Sequence, residues 1–451
     1  MTSYQVSVIG LGKLGVCMAA AMAAIGHEVI GVDVNPDTVT KVNKGIPPVV
    51  EPTLKETMWE GHDRFMATQS YDEAITNSDI SFVVVPTPST PEGTFDITYA
   101  QRAFRSIGEA LKKKAAHHTV VLTSTVLPGD TRYGCLPLLI QASGRKPGDG
   151  ISLCYSPEFI ALGSVIHDFL NPDMLLIGEF DERSGDQLQK FYSSLMENNP
   201  HIHRMSIENA ELAKISLNSY ITNKITFANM IGSICERIPE GDCDAVLGAV
   251  GADSRVGKKY LRCGLGYGGP CFPRDNEALK AFAERMGVDG RMMKTIDAVN
   301  RSIPAHIENS IRKYLVGATN ILILGTSYKP ASNLLEESQA FELAKILATN
   351  GSGTKVDTWD PVAPCSLHHL SEYPRAFPTI GNYSHIIIAN MDPAFASLTS
   401  DAVEPGTVVV DLWRSHPHLD NHPHIRYIPL GKCRNDQVAA MKIVKGIKGV
   451  Y

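Results

Sequence analysis

The 451-residue sequence predicts an α/β protein with two doubly wound parallel sheets joined by a mostly helical section. Three observations carry this. Strand-like and helix-like runs alternate through residues 1–204, long helical periodicity without strand interruption begins near residue 205, and alternation returns beyond residue 318. The length itself asks for about three domains. The boundaries expected are 1–204 for the first, 205–300 for the helical middle and 318–451 for the last.

The first unit opens with "YQVSVIG", a glycine turn leading into "LGKLGVCMAAAMAAIG", and then "HEVIGVD": strand, helix, strand. Further strands are expected in "DISFVVVPTP", "HTVVLTSTV" and "GISLCYSPEF", with a helix in "TYAQRAFRSIGEALKKKA". The stretch "SIENAELAKISLNSYITNKITFANMIGSICERI" reads as one long helix. "TNILILG", "SQAFELAKILATNG", "TKVDTWD", "HIIIAN" and "TVVVDLW" restore the strand and helix alternation.

With 43% hydrophobic residues, 20% charged residues and a net charge of -6, the composition excludes a disordered chain and argues against a nucleic-acid binder. Nine scattered cysteines with no CxxC pair point to reduced thiols and a cytoplasmic setting, with neither zinc nor any other metal nor a disulfide frame. The apolar run "VCMAAAMAAIG" is too short to span a membrane and follows a glycine turn rather than a basic leader.

Gly10, Gly12 and Gly15 form GxGxxG between the first strand and its helix. The first glycine permits a tight turn, the second lets backbone approach a pyrophosphate, and the third lets helix and strand pack closely. Asp33 closes the second strand, where a carboxylate accepts hydrogen bonds from a ribose, and no basic residue follows in "DVNP" to hold a 2′-phosphate. NAD is therefore expected over NADP.

The segment "GLGYGGPCFPRD", residues 264–275, sets Cys271 among glycines and prolines with Arg274 and Asp275 beside it. Such a setting suits a nucleophile; the same letters also describe a tight loop with an incidental cysteine. Lys214 and Asn218, four apart, share a helix face that either meets one ligand or faces solvent. Arg255, Lys258, Lys259 and Arg262 are either a solvated face or the cations a diphosphate needs. Glu158 and Thr125 follow candidate strands, where open parallel sheets bind ligands and where helix caps also sit.

Taken in order, "VIGLGKLG", "GVDVNP", "GIPPVVEPTL", "VVPTPST", "TSTVLPGDT", "SPEF", "IHDFLNPDMLLIG", "ENAELAKISLNSYITNKITFAN", "DSRVGKKYL", "GYGGPCFPRD" and "GTSYKP" resemble the nucleotide-sugar 6-dehydrogenases, whose members act on UDP-glucose or GDP-mannose. The resemblance covers most of the chain and is closest to the UDP-glucose branch. It implies two Rossmann-like domains around a helical dimerisation core, a homodimer, and four-electron oxidation of a sugar C6 alcohol by two NAD molecules through a thiohemiacetal and a thioester on Cys271. By position, Lys214 and Asn218 match residues that steady an oxyanion, while Glu158, Asp275 and Thr125 match those that handle water and protons. Gly10, Gly12, Lys13, Leu14, Gly15, Asp33, Thr87 and Thr125 fall at cofactor positions. Glu158, Phe159, Lys214, Asn218, Tyr260, Gly268, Lys329 and Arg414 fall at substrate positions, and Arg255 matches an arginine that reaches into a neighbouring subunit's site.

The chain departs from the family pattern near the ligands. Ala161 and Leu162 replace a basic or small residue and an acid after "SPEF"; Asn333, Leu334 and Glu336 stand where an aspartate pair and an arginine are expected; Pro270 replaces a serine and Arg274 a lysine. Two other readings use the same residues. A two-electron hydroxyacid-type dehydrogenase needs neither Cys271 nor a second nucleotide-binding domain, and a silent nucleotide-sugar binder needs none of the catalytic set. NADH per product, two, one or none, separates the three.

Overall fold

Short apolar runs become the buried strands of two sheets. The structure, a computed structural model, describes residues 3–160, 162–350, 354–364 and 376–433. It divides between Leu217 and Asn218 into two compact units.

The first unit carries β1 (Gln5–Ile9), β2 (Glu28–Val32), β3 (Phe65–Thr68), β4 (Ile80–Val83), β5 (His118–Leu122), β6 (Lys146–Pro147), β7 (Gly150–Tyr155), β8 (Met174–Glu179) and β9 (His201–Ser206). Their order is β3-β2-β1-β4-β5-β7-β8-β9, with β6 beside β7. The pairs are parallel except β7 with β8, which is antiparallel. Alternate residues feed two cores: Val8, Phe82 and Val121 face one, while Ile9, Val83, Val120 and Leu122 face the other. Covering both faces is what makes these strands read as continuous apolar runs rather than alternating ones. The helix Lys13–Ile25 is buried from Gly15 to Ala23, and Gly26 ends it in the left-handed conformation, φ 113°.

The second unit has β10 (Asn320–Leu324), β11 (Lys355–Trp359), β12 (His385–Ile388), β13 (Val408–Asp411) and β14 (Arg426–Pro429), all parallel, in the order β11-β10-β12-β13-β14. This is a second doubly wound order, with one switch point between β10 and β12. Leu322, Ile386 and Val409 face one core, and Ile323, Ile387 and Val410 the other. Helices Cys243–Ala252, Phe272–Arg285 and Arg291–Ile311 precede this sheet. The long helix expected from residue 206 is a single 29-residue element, Ile207–Cys235. The strands β3, β6, β8, β9 and β14 are not among the expected ones. Among the described residues no helix is long and apolar enough to cross a membrane. The eight described cysteines are all outside disulfides.

Candidate functional site

The turn after β1 is shaped by contacts only glycine allows. Gly10 has φ 97°, and a Cβ there would lie 2.4 Å from the Val84 carbonyl oxygen. A Cβ on Gly15 would lie 1.9 Å from the Gly10 carbonyl oxygen, so helix and turn pack backbone to backbone. Gly12, in contrast, faces open space, and no described side chain caps the helix that Lys13 and Leu14 begin. An open glycine before uncapped N–H groups fits a pyrophosphate. Asp33 accepts the Leu11 N–H at 2.8 Å and the Asn35 N–H at 2.8 Å, fixing the turn to the end of β2 while both oxygens keep lone pairs for a ribose. Thr87 donates to the Thr125 carbonyl at 2.7 Å, which ties the loops after β4 and β5 together.

Also in the first unit, the Lys214 ammonium donates to the Glu158 carbonyl at 2.5 Å and lies 4.6 Å from the Phe159 ring centre. Lys214 is only 8% exposed, so the "SPEF" segment after β7 serves as its platform. Glu158 Oε1 is buried with no hydrogen-bond partner among the described residues. Burial pushes its carboxyl up to about 8, opposed by the Lys214 charge. A protonatable carboxyl with an unused oxygen can exchange a proton with a bound molecule near neutral pH.

Two further carboxylates have no role in the sequence reading. Glu51 accepts the Gly163 and Val165 N–H groups at 3.0 and 2.9 Å, anchoring the chain just beyond Glu158 and Leu162. Glu211, fully buried, accepts the Gly129 and Thr131 N–H groups at 2.6 and 2.9 Å. The available signal is an acid within an apolar motif, "PPVVEP" and "NAELAK". A buried carboxylate requires partners, and backbone N–H groups leave no mark on the sequence.

In the second unit, Cys271 stands exposed at the start of helix Phe272–Arg285, where backbone N–H groups favour negative charge. The preceding loop is closely packed. A Cβ on Gly268 would lie 2.1 Å from the Glu337 carbonyl oxygen, and one on Gly269, φ 77°, would meet the Tyr328 ring. Gly269 N–H also donates to the Glu336 carbonyl at 3.0 Å. The departure segment around Asn333, Leu334 and Glu336 therefore forms part of the wall holding the Cys271 loop. One turn into the helix, Asp275 is buried, accepting from the Asn218 amide at 2.6 Å and from Arg274 at 3.1 and 3.2 Å. Arg274, beside Cys271 in sequence, thus also pairs with the buried Asp275.

The remaining expected residues make contacts of their own. Arg255 is paired with Asp253 at 2.7 Å, its side chain 86% exposed. Tyr260 is exposed in the left-handed conformation, φ 63°, edge-on to Phe272. Lys329 lies 5.9 Å from the Tyr328 ring centre. Arg414 is nearly buried, and all three guanidinium nitrogens have protein acceptors: Asp244 at 2.7 Å, the Leu412 and Leu430 carbonyls, and the Cys263 carbonyl at 2.7 Å. That geometry gives Arg414 a structural task. Ala161 lies outside the described residues.

Comparison with known proteins bears on both units. Residues 4–196 match the family model "UDP-glucose/GDP-mannose dehydrogenase family, NAD binding domain", and residues 208–302 match that family's central domain. The chain is 35% identical to UDP-glucose 6-dehydrogenase AglM of Haloferax volcanii, over 80% of this chain and 84% of that protein. It is 33% identical to a GDP-mannose 6-dehydrogenase of Pseudomonas syringae pv. syringae, over 90% of this chain and 95% of that one. The solved structure of a UDP-glucose dehydrogenase from Pyrobaculum islandicum superposes with a TM-score of 0.82 at 30% identity, covering 96% of this chain and 98% of that chain. With a dinucleotide turn that fits NAD and family matches across both units, the chain belongs to the UDP-glucose/GDP-mannose dehydrogenase family and is an NAD-dependent nucleotide-sugar dehydrogenase.

Proposed function

We propose that the protein oxidises the C6 hydroxyl of UDP-glucose to the carboxylate, giving UDP-glucuronate by a four-electron reaction through Cys271. The observation that carries the chemistry is the exposed Cys271 thiol on a rigid glycine loop at a helix start. Bound NAD supplies the hydride acceptor, one molecule for each two electrons. The Cys271 sulfur adds to the aldehyde carbon left by the first oxidation, forming a C–S bond and an oxyanion that Lys214 and Asn218 stabilise. Oxidation of that adduct leaves a thioester on Cys271. Water then attacks the acyl carbon, the C–S bond breaks, and the thiolate and the carboxylate product separate, with Glu158, Asp275 and Thr125 placing the water and taking its protons. Phe159, Tyr260, Gly268, Lys329 and Arg414 complete the substrate set of this proposal.

The choice of sugar rests on the relatives: the AglM protein is named for UDP-glucose, as is the Pyrobaculum islandicum structure, which superposes better than the Pseudomonas aeruginosa GDP-mannose dehydrogenase at a TM-score of 0.54. GDP-mannose is the second reading, favoured by the longer coverage of the Pseudomonas proteins. The proposal keeps the three-part division at 1–204, 205–300 and 318–451, a cytoplasmic location and a homodimer in which Arg255 serves the partner's site. Tyr220, Phe227 and Ile234, exposed at seven-residue intervals along one helix, support association.

The test is turnover on a panel of UDP- and GDP-hexoses with NADH and acid both counted, in wild type and Cys271→Ser. The expected result is two NADH per uronate, best with UDP-glucose, and at least a roughly thousandfold loss of acid formation in the variant, the scale seen when a nucleophile is removed. One NADH per product, or near wild-type turnover by the serine variant, overturns the thioester route. A GDP-hexose well ahead overturns the substrate choice. Sedimentation of an active monomer overturns the role given to Arg255.

A further inference from the structure

The loop after β5 carries Thr125 and then turns sharply. Gly129 has φ 99°, and residues Asp130–Cys135 form a wide helical turn with i to i+5 hydrogen bonding, a rare geometry that a neighbouring element must support. The support comes from the helix Ile207–Cys235. Glu211 accepts the Gly129 N–H at 2.6 Å and the Thr131 N–H at 2.9 Å, one on each carboxylate oxygen. One turn earlier, Glu208 pairs with Arg132, whose guanidinium lies over the Phe180 ring at 4.6 Å. One turn later on the same helix stands Lys214.

We propose that Glu211 is a positioning residue for the oxidation: by gripping two backbone N–H groups it fixes the Thr125 loop against the helix that carries Lys214. The inference rests on the roles given above to Thr125 and Lys214. Glu211 itself touches no substrate.

Its chemistry argues for this use over plain packing. Glu211 is 0% exposed, and burial pushes its carboxyl up to about 7 despite the N–H bonds, with the nearby Asp130 charge acting in the same direction as burial. An apolar residue of similar size would fill the space without that cost, but would leave the buried Thr131 N–H and the half-buried Gly129 N–H without this acceptor. The bidentate grip sets both the distance and the angle between loop and helix, and a displacement of about 1 Å in a reacting group can lower turnover 100-fold.

The experiment compares Glu211→Ala and Glu211→Gln with wild type, using NAD and whichever nucleotide hexose gives the highest wild-type turnover. Melting temperature, NAD affinity, kcat and KM for both substrates are measured. Glutamine keeps one acceptor and turns its NH2 towards the other N–H, so it should lower kcat by about three- to tenfold. Alanine should lower it by about 100-fold. KM and NAD affinity should stay within threefold, and NADH per product should stay at the wild-type ratio. This graded loss in kcat alone, with partial rescue by glutamine, is what a role confined to folding would not produce. If alanine does not fold, glutamine decides. Wild-type kcat in the glutamine variant overturns the proposal, as does a loss tracked wholly by NAD affinity or KM. Failure of wild type to form acid from any panel member counts instead against the reading of function on which it rests.

Discussion

The Asn218 side-chain amide donates to Asp275 Oδ2 at 2.6 Å, joining two helices through a carboxylate that has no solvent exposure. Arg274 holds the other oxygen, so the buried Asp275 has a cation on one oxygen and an amide donor on the other. Such a carboxylate sits in one orientation, which is what a group that must meet a water at a fixed point requires.

Removing one partner exposes that dependence. Asn218→Ala should lower stability by about 1–3 kcal/mol, the cost of leaving a buried charged acceptor short of a hydrogen bond. Denaturant unfolding measures this directly. Turnover should fall more than stability accounts for, and equal stability in both proteins would show that the amide contributes nothing to holding Asp275.

Glu158 makes the pH dependence of stability specific. Its folded-state value of about 8 lies above the usual 4.5 of an unfolded glutamate, so burial favours the protonated form. The associated stability is fully present below about pH 4.5 and is lost as pH rises through 8, at about 1.4 kcal/mol for each pH unit between the two values. Glu158→Gln cannot ionise, so its melting temperature should gain on wild type as pH rises from 5 to 8.5, while activity is lost. A constant difference across that range would count against a protonated, buried Glu158. Glu211, pushed up to about 7, contributes with the same sign, so wild-type stability should still decline somewhat in the variant.

Gly15→Ala places a methyl group where the Gly10 carbonyl oxygen already sits, at 1.9 Å. Overpacking of this kind costs about 1–3 kcal/mol. Because the displaced oxygen belongs to the dinucleotide turn, NAD affinity should fall as well, and isothermal titration with NAD should show it. An unchanged affinity would mean that turn and helix can separate freely.

Asp33 should exclude NADP. A 2′-phosphate beside this carboxylate sets like charges together, which costs several kcal/mol. Efficiency with NAD should therefore exceed that with NADP by at least about 100-fold. Comparable kcat/KM for the two cofactors would show that the Asp33 carboxylate does not face the ribose.

Arg414→Lys separates a structural task from a ligand contact. Lysine cannot reach the Asp244, Leu430 and Cys263 acceptors together, and a loss of about 2–4 kcal/mol is expected. KM for the nucleotide sugar should rise as well, as a member of the proposed substrate set requires. A loss of stability with unchanged KM would leave Arg414 its structural task alone.

Much of the architecture is legible because parallel strands buried on both faces print themselves as apolar runs: "VSVI", "ILIL", "VVVD" and "HIII" all lie within strands. The strand β9, "HIHRMS", is an edge strand with half its residues wet, and histidines and an arginine hide its alternation. The antiparallel entry of β8 depends on a partner distant in sequence, which no local pattern records. At the candidate site, the residue types are legible and the partners are not. Lys214 and Asn218 do share a helix, but the first is seated on the Glu158 carbonyl and the second on Asp275. Glu51 and Glu211 act on backbone N–H groups, which every residue except proline offers, so nothing in the sequence marks which ones they take.

The helix Ile207–Cys235 carries Glu208, Glu211, Lys214, Asn218 and Thr222, spaced by three or four residues, in one unbroken element. Each residue of an α-helix turns the chain by about 100° and advances it about 1.5 Å. Inserting or deleting a single residue between Lys214 and Asn218 would therefore swing every later group in this set a quarter turn or more away from the earlier ones. Amino-acid exchange along this rod is open to natural variation at its wet positions, but change in its length is not. Lineages carrying this chemistry should show substitutions there freely and gaps hardly ever, with length variation pushed into the loops at either end.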